Sequence, residues 1–316
     1  MKPKNIIVIL WYLSLGVLVL FGKTGGDDPI NLKSNIVYKT TSEGDLSLDL
    51  YYPEKKLSGK YPLVIYTHGG GWAQGSKMSA RARSKMSLVV RSLTEHGMCV
   101  ASINYRLCRK GRSTRIRDCV IDCKDAARYL AKNSEALFVD SNRVFTFGDS
   151  AGGQIAQMLL LSPPKCLQGV KKLANFDYTV LGGVSWYGPC DFEKIRLFNP
   201  DGRPKFHDRF KSRILPSNTP VADKLKLYRE ISPVTYLGKD SPPLLMIQGD
   251  KDTTIPVHHA HYMKAHAEKI GAPVEIVIVR NAGHNWRSVN GAIDPGIDTI
   301  IMRTVSFITN LLENNP

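Results

Sequence analysis

Val144-Phe-Thr-Phe-Gly148-Asp149-Ser150-Ala151-Gly152-Gly153 decides the fold of this chain. An apolar, aromatic run reads as a β-strand and ends in the pattern Gly-x-Ser-x-Gly. The next residues, Gln154-Ile-Ala-Gln-Met-Leu-Leu-Leu161, read as a helix. Strand, sharp turn and helix in that order make Ser150 the tip of a nucleophile elbow. Only small residues fit two positions to either side, and the hydroxyl is held up into solvent. The competing reading is a glycine-rich β–α turn with an incidental serine.

A serine hydroxyl is a weak nucleophile until a neighbouring base takes its proton, and that base needs a carboxylate to hold its tautomer. On an elbow of this kind the acid and then the histidine follow the serine along the chain. Both are present in that order. Leu244-Leu-Met-Ile-Gln248 is an apolar strand running into the turn Gly249-Asp250-Lys251-Asp252, and Val274-Glu-Ile-Val-Ile-Val279 is a second, followed by Asn281-Ala-Gly283-His284-Asn285-Trp286. His284 is the expected general base and Asp252 its orienting acid. Asp250 is the rival acid; it lies nearer the strand end, where a carboxylate also serves to hydrogen-bond the turn backbone.

Upstream, His68-Gly69-Gly70-Gly71-Trp72 directly follows an apolar strand at 62–67. Acyl transfer develops an oxyanion, which needs preorganised N–H donors in a dry pocket. Glycines let the backbone approach a substrate closely, so the expected donors are the amides of Gly70, Gly71 and Ala151. His68 reads as a brace for this loop rather than a second base. Trp72, Trp186, Tyr187 and Trp286 are candidate pocket walls, with core packing as the alternative for each.

His68-Gly-Gly-Gly-Trp72, Gly148-Asp-Ser-Ala-Gly-Gly153, Trp186-Tyr-Gly-Pro189 with Asp191-Phe192, Ser232-Pro-Val-Thr-Tyr236, Gly249-Asp-Lys-Asp252 and Ala282-Gly-His284 follow one order. Together they resemble the α/β-hydrolase esterases of the hormone-sensitive-lipase-like group, and most closely the secreted polysaccharide esterases that remove acetyl or feruloyl groups from xylan. The resemblance spans roughly residues 35–312. It implies a serine carboxylic-ester hydrolase without metal or organic cofactor, and it favours Asp252 over Asp250. The chain departs from the pattern at Gln154, where a histidine is common, and at Cys190, where a threonine is common.

The 316 residues could hold two average domains, but α/β folds of this length are often single. Strands expected at 36–40, 46–52, 63–67, 98–104, 143–147, 180–186, 244–248 and 274–279 alternate after the second with helices at 79–96, 117–132 and 299–312. That alternation predicts a mostly parallel sheet covered on both faces, opened by an antiparallel pair. Residues 191–229 break the rhythm with proline, charge and aromatics, and read as a lid over the site, a disordered surface loop being the competing reading. The hydrolase domain is thus expected over 35–316.

Lys2 and Lys4 precede an apolar run at 6–21, so residues 1–22 read as a cleaved export signal, with an uncleaved membrane anchor as the alternative. Residues 23–34 read as a polar linker. Six cysteines in an exported chain allow disulfides. Cys99 reads as a buried thiol, and Cys119 and Cys123 share a helix face without the second pair a zinc site needs. His258, His259 and His261 open a helix after Pro256 and read as its exposed polar face. The net charge of +15 is crowded into 106–117 and 196–213. Such a field favours acidic polysaccharide or an anionic envelope, or is simply a solvated basic surface. No nucleic-acid-reading motif accompanies it. Two functional rivals stand beside the esterase: a serine peptidase of the prolyl-oligopeptidase type, and a catalytically idle hydrolase-fold binding protein.

Overall fold

The computed structural model describes residues 31–55, 58–81, 84–199 and 208–315. The export-signal reading at 1–22 and most of the linker lie outside them. Residues 31–34, expected in the linker, belong instead to the first strand, β1 (Asn31–Thr41), which hairpins with β2 (Gly44–Tyr52). The register extends to Asn31 opposite Tyr52, so pairing rather than composition sets where the strand begins.

The sheet continues with β3 (Tyr61–Thr67), β4 (Cys99–Ile103), β5 (Val139–Asp149), β6 (Val180–Trp186), β7 (Leu244–Gly249) and β8 (Val274–Val279). Eight strands lie in the order β1-β2-β4-β3-β5-β6-β7-β8. β2 meets β1 and β4 antiparallel, and every pairing from β4 to β8 is parallel. This is the α/β-hydrolase architecture. β3 is buried along its whole length, as a central parallel strand covered on both faces must be.

Alternate residues of the strands serve opposite layers. Val64, Val100, Phe145 and Phe147 pack against α1 (Lys85–Glu95) and α7 (Ile297–Glu313) through Val89, Val90, Leu93, Ile301 and Val305. Leu63, Ile65, Ala101 and Val144 face the other way, onto α2 (Ile116–Lys132) and α3 (Ala151–Leu161). The single helix expected over 79–96 is divided. A short 3-10 turn, Lys77–Ala80, comes first, and α1 begins only after Ser84, whose side chain accepts from the Ser87 amide in a capping box.

Residues 191–229 contain the one-turn α4 (Lys211–Ile214) and α5 (Val221–Glu230). α5 fully buries none of its side chains, and Leu227 and Tyr228 are half-buried against the core. The segment before it folds back onto the loop after β3: Phe210 and Phe192 pack edge-on against Trp72 at 5.3 and 5.7 Å between ring centroids. In α6 (His258–Ile270), His259 is buried with Ala260, Met263 and Ala267, while His258 and His261 are exposed. The reading of all three histidines as an exposed face is therefore corrected at His259, which shares the helix stripe that meets the core. All six cysteines are free thiols, with the Cys108 and Cys119 sulfurs in contact at 3.8 Å.

Candidate active site

Parallel pairing brings the carboxyl ends of β3, β5, β6, β7 and β8 to one edge of the sheet, where ligand sites of open α/β sheets lie. Thr67 is opposite Gly148, so the loop after β3 and the turn after β5 start side by side. The turn at Ser150 is sharp: its φ of 54° and ψ of −118° lie outside the regions favoured by ordinary residues. Its amide donates to the Trp186 carbonyl at 2.8 Å. Small flanking residues are a spatial necessity. A Cβ on Gly148 would lie 2.2 Å from the Gly152 carbonyl oxygen, and one on Gly152 would lie 1.9 Å from that of Thr67.

Ser150, His284 and Asp252 are brought together. Ser150 Oγ lies 3.0 Å from His284 Nε2, and His284 Nδ1 lies 2.7 Å from Asp252 Oδ2. A carboxylate can only accept, so Nδ1 carries the proton and Nε2 is left free to accept from the serine hydroxyl. Asp252 is also fixed by its other oxygen, which accepts from the Thr254 and Ile255 amides at 2.8 and 2.9 Å. Gln248 Nε2 donates to Oδ2 as well, at 3.2 Å. Asp250 does not reach the histidine. Its carboxylate faces Lys251 at 3.3 Å, and its expected part in the turn falls to Asp252 instead.

The loop after β3 turns through Gly70 (φ 112°), Gly71 (φ 61°) and Trp72 (φ 60°). The Gly70 carbonyl accepts from the Ala73 and Gln74 amides, and a Cβ there would lie 2.1 Å from the Gln74 carbonyl oxygen. The amides of Gly70, Gly71 and Ala151 have no acceptor among the described residues. His68 braces this loop: its Nδ1 donates to the Gly69 carbonyl at 2.7 Å and its ring stacks on Tyr105 at 4.3 Å. Burial lowers its pKa to about 4, so it is a neutral strut.

Three further residues act on the loop without having been expected there. Asp149 Oδ1 accepts from the Gly69 amide at 3.0 Å and the Tyr66 hydroxyl at 2.9 Å, tying the elbow to the glycine loop. Burial raises this carboxyl, and those two donors oppose the shift. Gln154 Oε1 accepts from the Trp72 indole at 3.1 Å while its Nε2 donates to the Ile231 carbonyl at 2.8 Å. An amide can do both at once, which explains a glutamine at that position. Arg213 Nη1 donates to the Gly71 carbonyl at 2.7 Å. The glycine motif marks the loop in the sequence, but nothing local marks partners that far away along the chain.

The four aromatic candidates are not open walls. Trp186 is wholly buried and its indole donates to Thr304 on α7; Trp72 is 1% exposed and tied to Gln154. Trp286 packs against Trp186 and Tyr187 at 5.6 and 4.7 Å. Tyr187, also buried, places its ring edge-on to His284 at 4.8 Å. The reading is corrected to core packing: Trp186, Tyr187 and Trp286 form a buried stack beside the base, and Trp72 packs with Phe192 and Phe210, because large apolar rings gain more from packing than from lining solvent. Among the described residues no group of three His, Cys, Asp or Glu side chains could hold a metal.

The BD-FAE family model matches residues 48–266. The probable carboxylic ester hydrolase LipM of Mycobacterium tuberculosis is 27% identical over 66% of this chain and 45% of its own length. Esterase LipC of the same organism is 26% identical over 84% of this chain and 60% of its own. The chain thus spans about half the length of these curated relatives. A truncated carbohydrate esterase from gut microbiota superposes with a TM-score of 0.71 at 20% identity, covering 89% of this chain and 95% of that one. With that sheet, that elbow and a family match over more than half its residues, the chain belongs to the BD-FAE family of α/β-hydrolases.

Proposed function

We propose that the chain is a serine carboxylic-ester hydrolase that works through an acyl-enzyme, acting on short acyl esters, acetyl or feruloyl, of polysaccharide. The observation that carries the chemistry is the unbroken hydrogen-bonded line from Asp252 through His284 to Ser150, at 2.7 and 3.0 Å. Ser150 Oγ attacks the ester carbonyl carbon as His284 Nε2 takes the hydroxyl proton. The carbonyl oxygen becomes an oxyanion held by the amides of Gly70, Gly71 and Ala151. Collapse breaks the bond to the alcohol oxygen, which leaves with the proton from His284. A water then gives its proton to the same nitrogen and attacks the acyl carbon; the bond to Ser150 Oγ breaks, Oγ takes the proton back from His284, and the acid is released. Asp252 stays ionised throughout and stabilises the imidazolium.

The ester class is supported by the carboxylic ester hydrolase and esterase relatives, and the polysaccharide by the carbohydrate esterase whose fold is shared. A complete set of reacting groups favours an enzyme over an idle binding protein. Export belongs to the same proposal, on the apolar run at 6–21 behind Lys2 and Lys4. The test is hydrolysis of 4-nitrophenyl esters from acetate to decanoate, with acetylated xylan and methyl ferulate alongside. Preference for acetate with acetate release from xylan is expected; a maximum at long chains without action on xylan removes the polysaccharide. Ser150→Ala should retain no more than about 10³–10⁴-fold over the uncatalysed reaction. Near-wild-type turnover in that variant overturns the mechanism.

A further inference from the structure

Described parts of the two basic stretches of the sequence, distant along the chain, face each other across one cleft. Residues 108–115 form one wall and residues 208–219 the other, around a cavity of about 1150 Å³. Arg109, Lys110, Arg112, Arg115, Lys211, Arg213 and Lys224 line it, and Asp208 brings the one carboxylate among the described lining residues. That carboxylate is engaged by the Tyr228 hydroxyl and the Phe210 amide. Arg112 pairs with Glu43, and Arg115 is held by the carbonyls of Arg112, Thr114 and Leu215. Arg109, Lys110 and Lys211 are exposed and have no acidic partner among the described residues.

Both walls are fastened to the loop that carries Gly70 and Gly71. The Cys108 amide donates to the Trp72 carbonyl at 2.7 Å, and Arg213 donates to the Gly71 carbonyl at the same distance. The cleft is therefore joined through both walls to the glycine loop beside Ser150. Unpaired cations crowded in one concavity repel one another, and an anion placed between them relieves that repulsion. The remaining lining, Ser113, Ser212, Ser217, Asn218 and Thr219, offers hydroxyl and amide groups suited to sugar hydroxyls.

We propose that this cleft binds the carboxylate-bearing part of the substrate, so that the preferred ester is carried on an acidic, uronate-containing glycan rather than a neutral one. The inference rests on the esterase reading for turnover, but not for binding. The cations position the glycan chain, so their effect falls on KM and leaves the acyl step alone. It also fades with salt, since the screening length is about 8 Å at physiological ionic strength.

The test compares the wild type, the double variant Arg109→Glu/Lys211→Glu, and a control of equal net charge change, Lys171→Glu/Lys172→Glu, on an exposed turn outside the cleft. Substrates are acetylated polygalacturonate, acetylated glucomannan and 4-nitrophenyl acetate. The cleft variant should raise KM for the acidic glycan at least tenfold at low salt, with kcat and the two neutral substrates unchanged and the control silent. Equal losses in cleft and control variants, or equal losses on acidic and neutral glycan, overturn the proposal by reducing the cleft to diffuse attraction. Binding of unacetylated oligogalacturonate to the full chain, followed by fluorescence anisotropy, needs no turnover. If it binds and 4-nitrophenyl acetate is not cleaved, the cleft stands and the esterase reading fails. Tighter binding to heparin or to anionic lipid vesicles than to oligogalacturonate overturns the assignment to a uronate.

Discussion

At the scale of single residues, the informative contrast is between Asp250 and Asp252, two carboxylates in one turn. Asp252 spends one oxygen on the turn amides of Thr254 and Ile255 and the other on His284. Asp250 faces Lys251 beside it and does not reach His284. An asparagine at 252 can still accept from the turn amides, so the fold should hold, but its amide favours the wrong imidazole tautomer. Asp252→Asn should lower kcat on 4-nitrophenyl acetate by about 10⁴-fold. Asp250→Asn should stay close to wild type in both kcat and Tm. A large loss in the second variant with a small one in the first would transfer the role. The sequence presents both aspartates and ranks Asp252 first by turn chemistry and by resemblance. What separates them is the direction each side chain takes from a tight turn, which no spacing rule encodes.

Secondary-structure elements put a limit on what the elbow tolerates. α3 starts so close to β3 that Gly152 has no room for a side chain: its Cβ would lie 1.9 and 2.6 Å from the carbonyl oxygens of Thr67 and His68. These are backbone atoms of the buried central strand and its loop, so they cannot rotate away. Gly152→Ala should therefore cost at least about 1–3 kcal/mol and push Ser150 out of line with His284, lowering both Tm and turnover. Gly296→Ala, at the N-cap of α7 with nothing within 4 Å, should lose about 0.5–1 kcal/mol through the poorer cap and leave turnover unchanged. Thermal melts and 4-nitrophenyl acetate rates on both variants make the comparison. Elements of this kind were legible where chemistry is local. β6 and β8 fall where their apolar runs lie, and the Gly-x-Ser-x-Gly spacing marks the elbow because sterics demand it. The helix expected at 79–96 was misjudged because lysine, arginine and alanine favour helix throughout, while the break is made by the Ser84 cap. α5 is short, and of its apolar side chains only Leu227 and Tyr228 are half-buried against the core, so its apolar period is weak beside the surrounding charge.

For the molecule as a whole, the same burial that stiffens the site sets its response to acid. His68 under the glycine loop and His259 in α6 are both buried and have their pKa lowered to about 4 and about 3, chiefly by desolvation. For His259 the charges of His258 and Arg209 add to that effect, and its ring lies 4.3 Å from Phe198 with Nδ1 accepting from the Cys190 amide. Unfolded, each imidazole titrates near 6.5. Between that value and the folded one, the unfolded chain binds a proton that the native chain refuses. Stability from these two groups is thus complete above pH 6.5 and declines as the pH falls toward 4, by about 1.4 kcal/mol per pH unit for each histidine. Urea unfolding at pH 7, 5.5 and 4.5 should show this decline. His259→Gln removes one of the two protons, so its stability should fall less steeply over the same window, by about one proton's worth, whatever the substitution costs at pH 7. Unchanged steepness in that variant would mean that His259 is already protonated in the folded protein. The Cys190 amide could not then donate to Nδ1, and the packing of α6 against Phe198 and Cys190 would have to be redrawn.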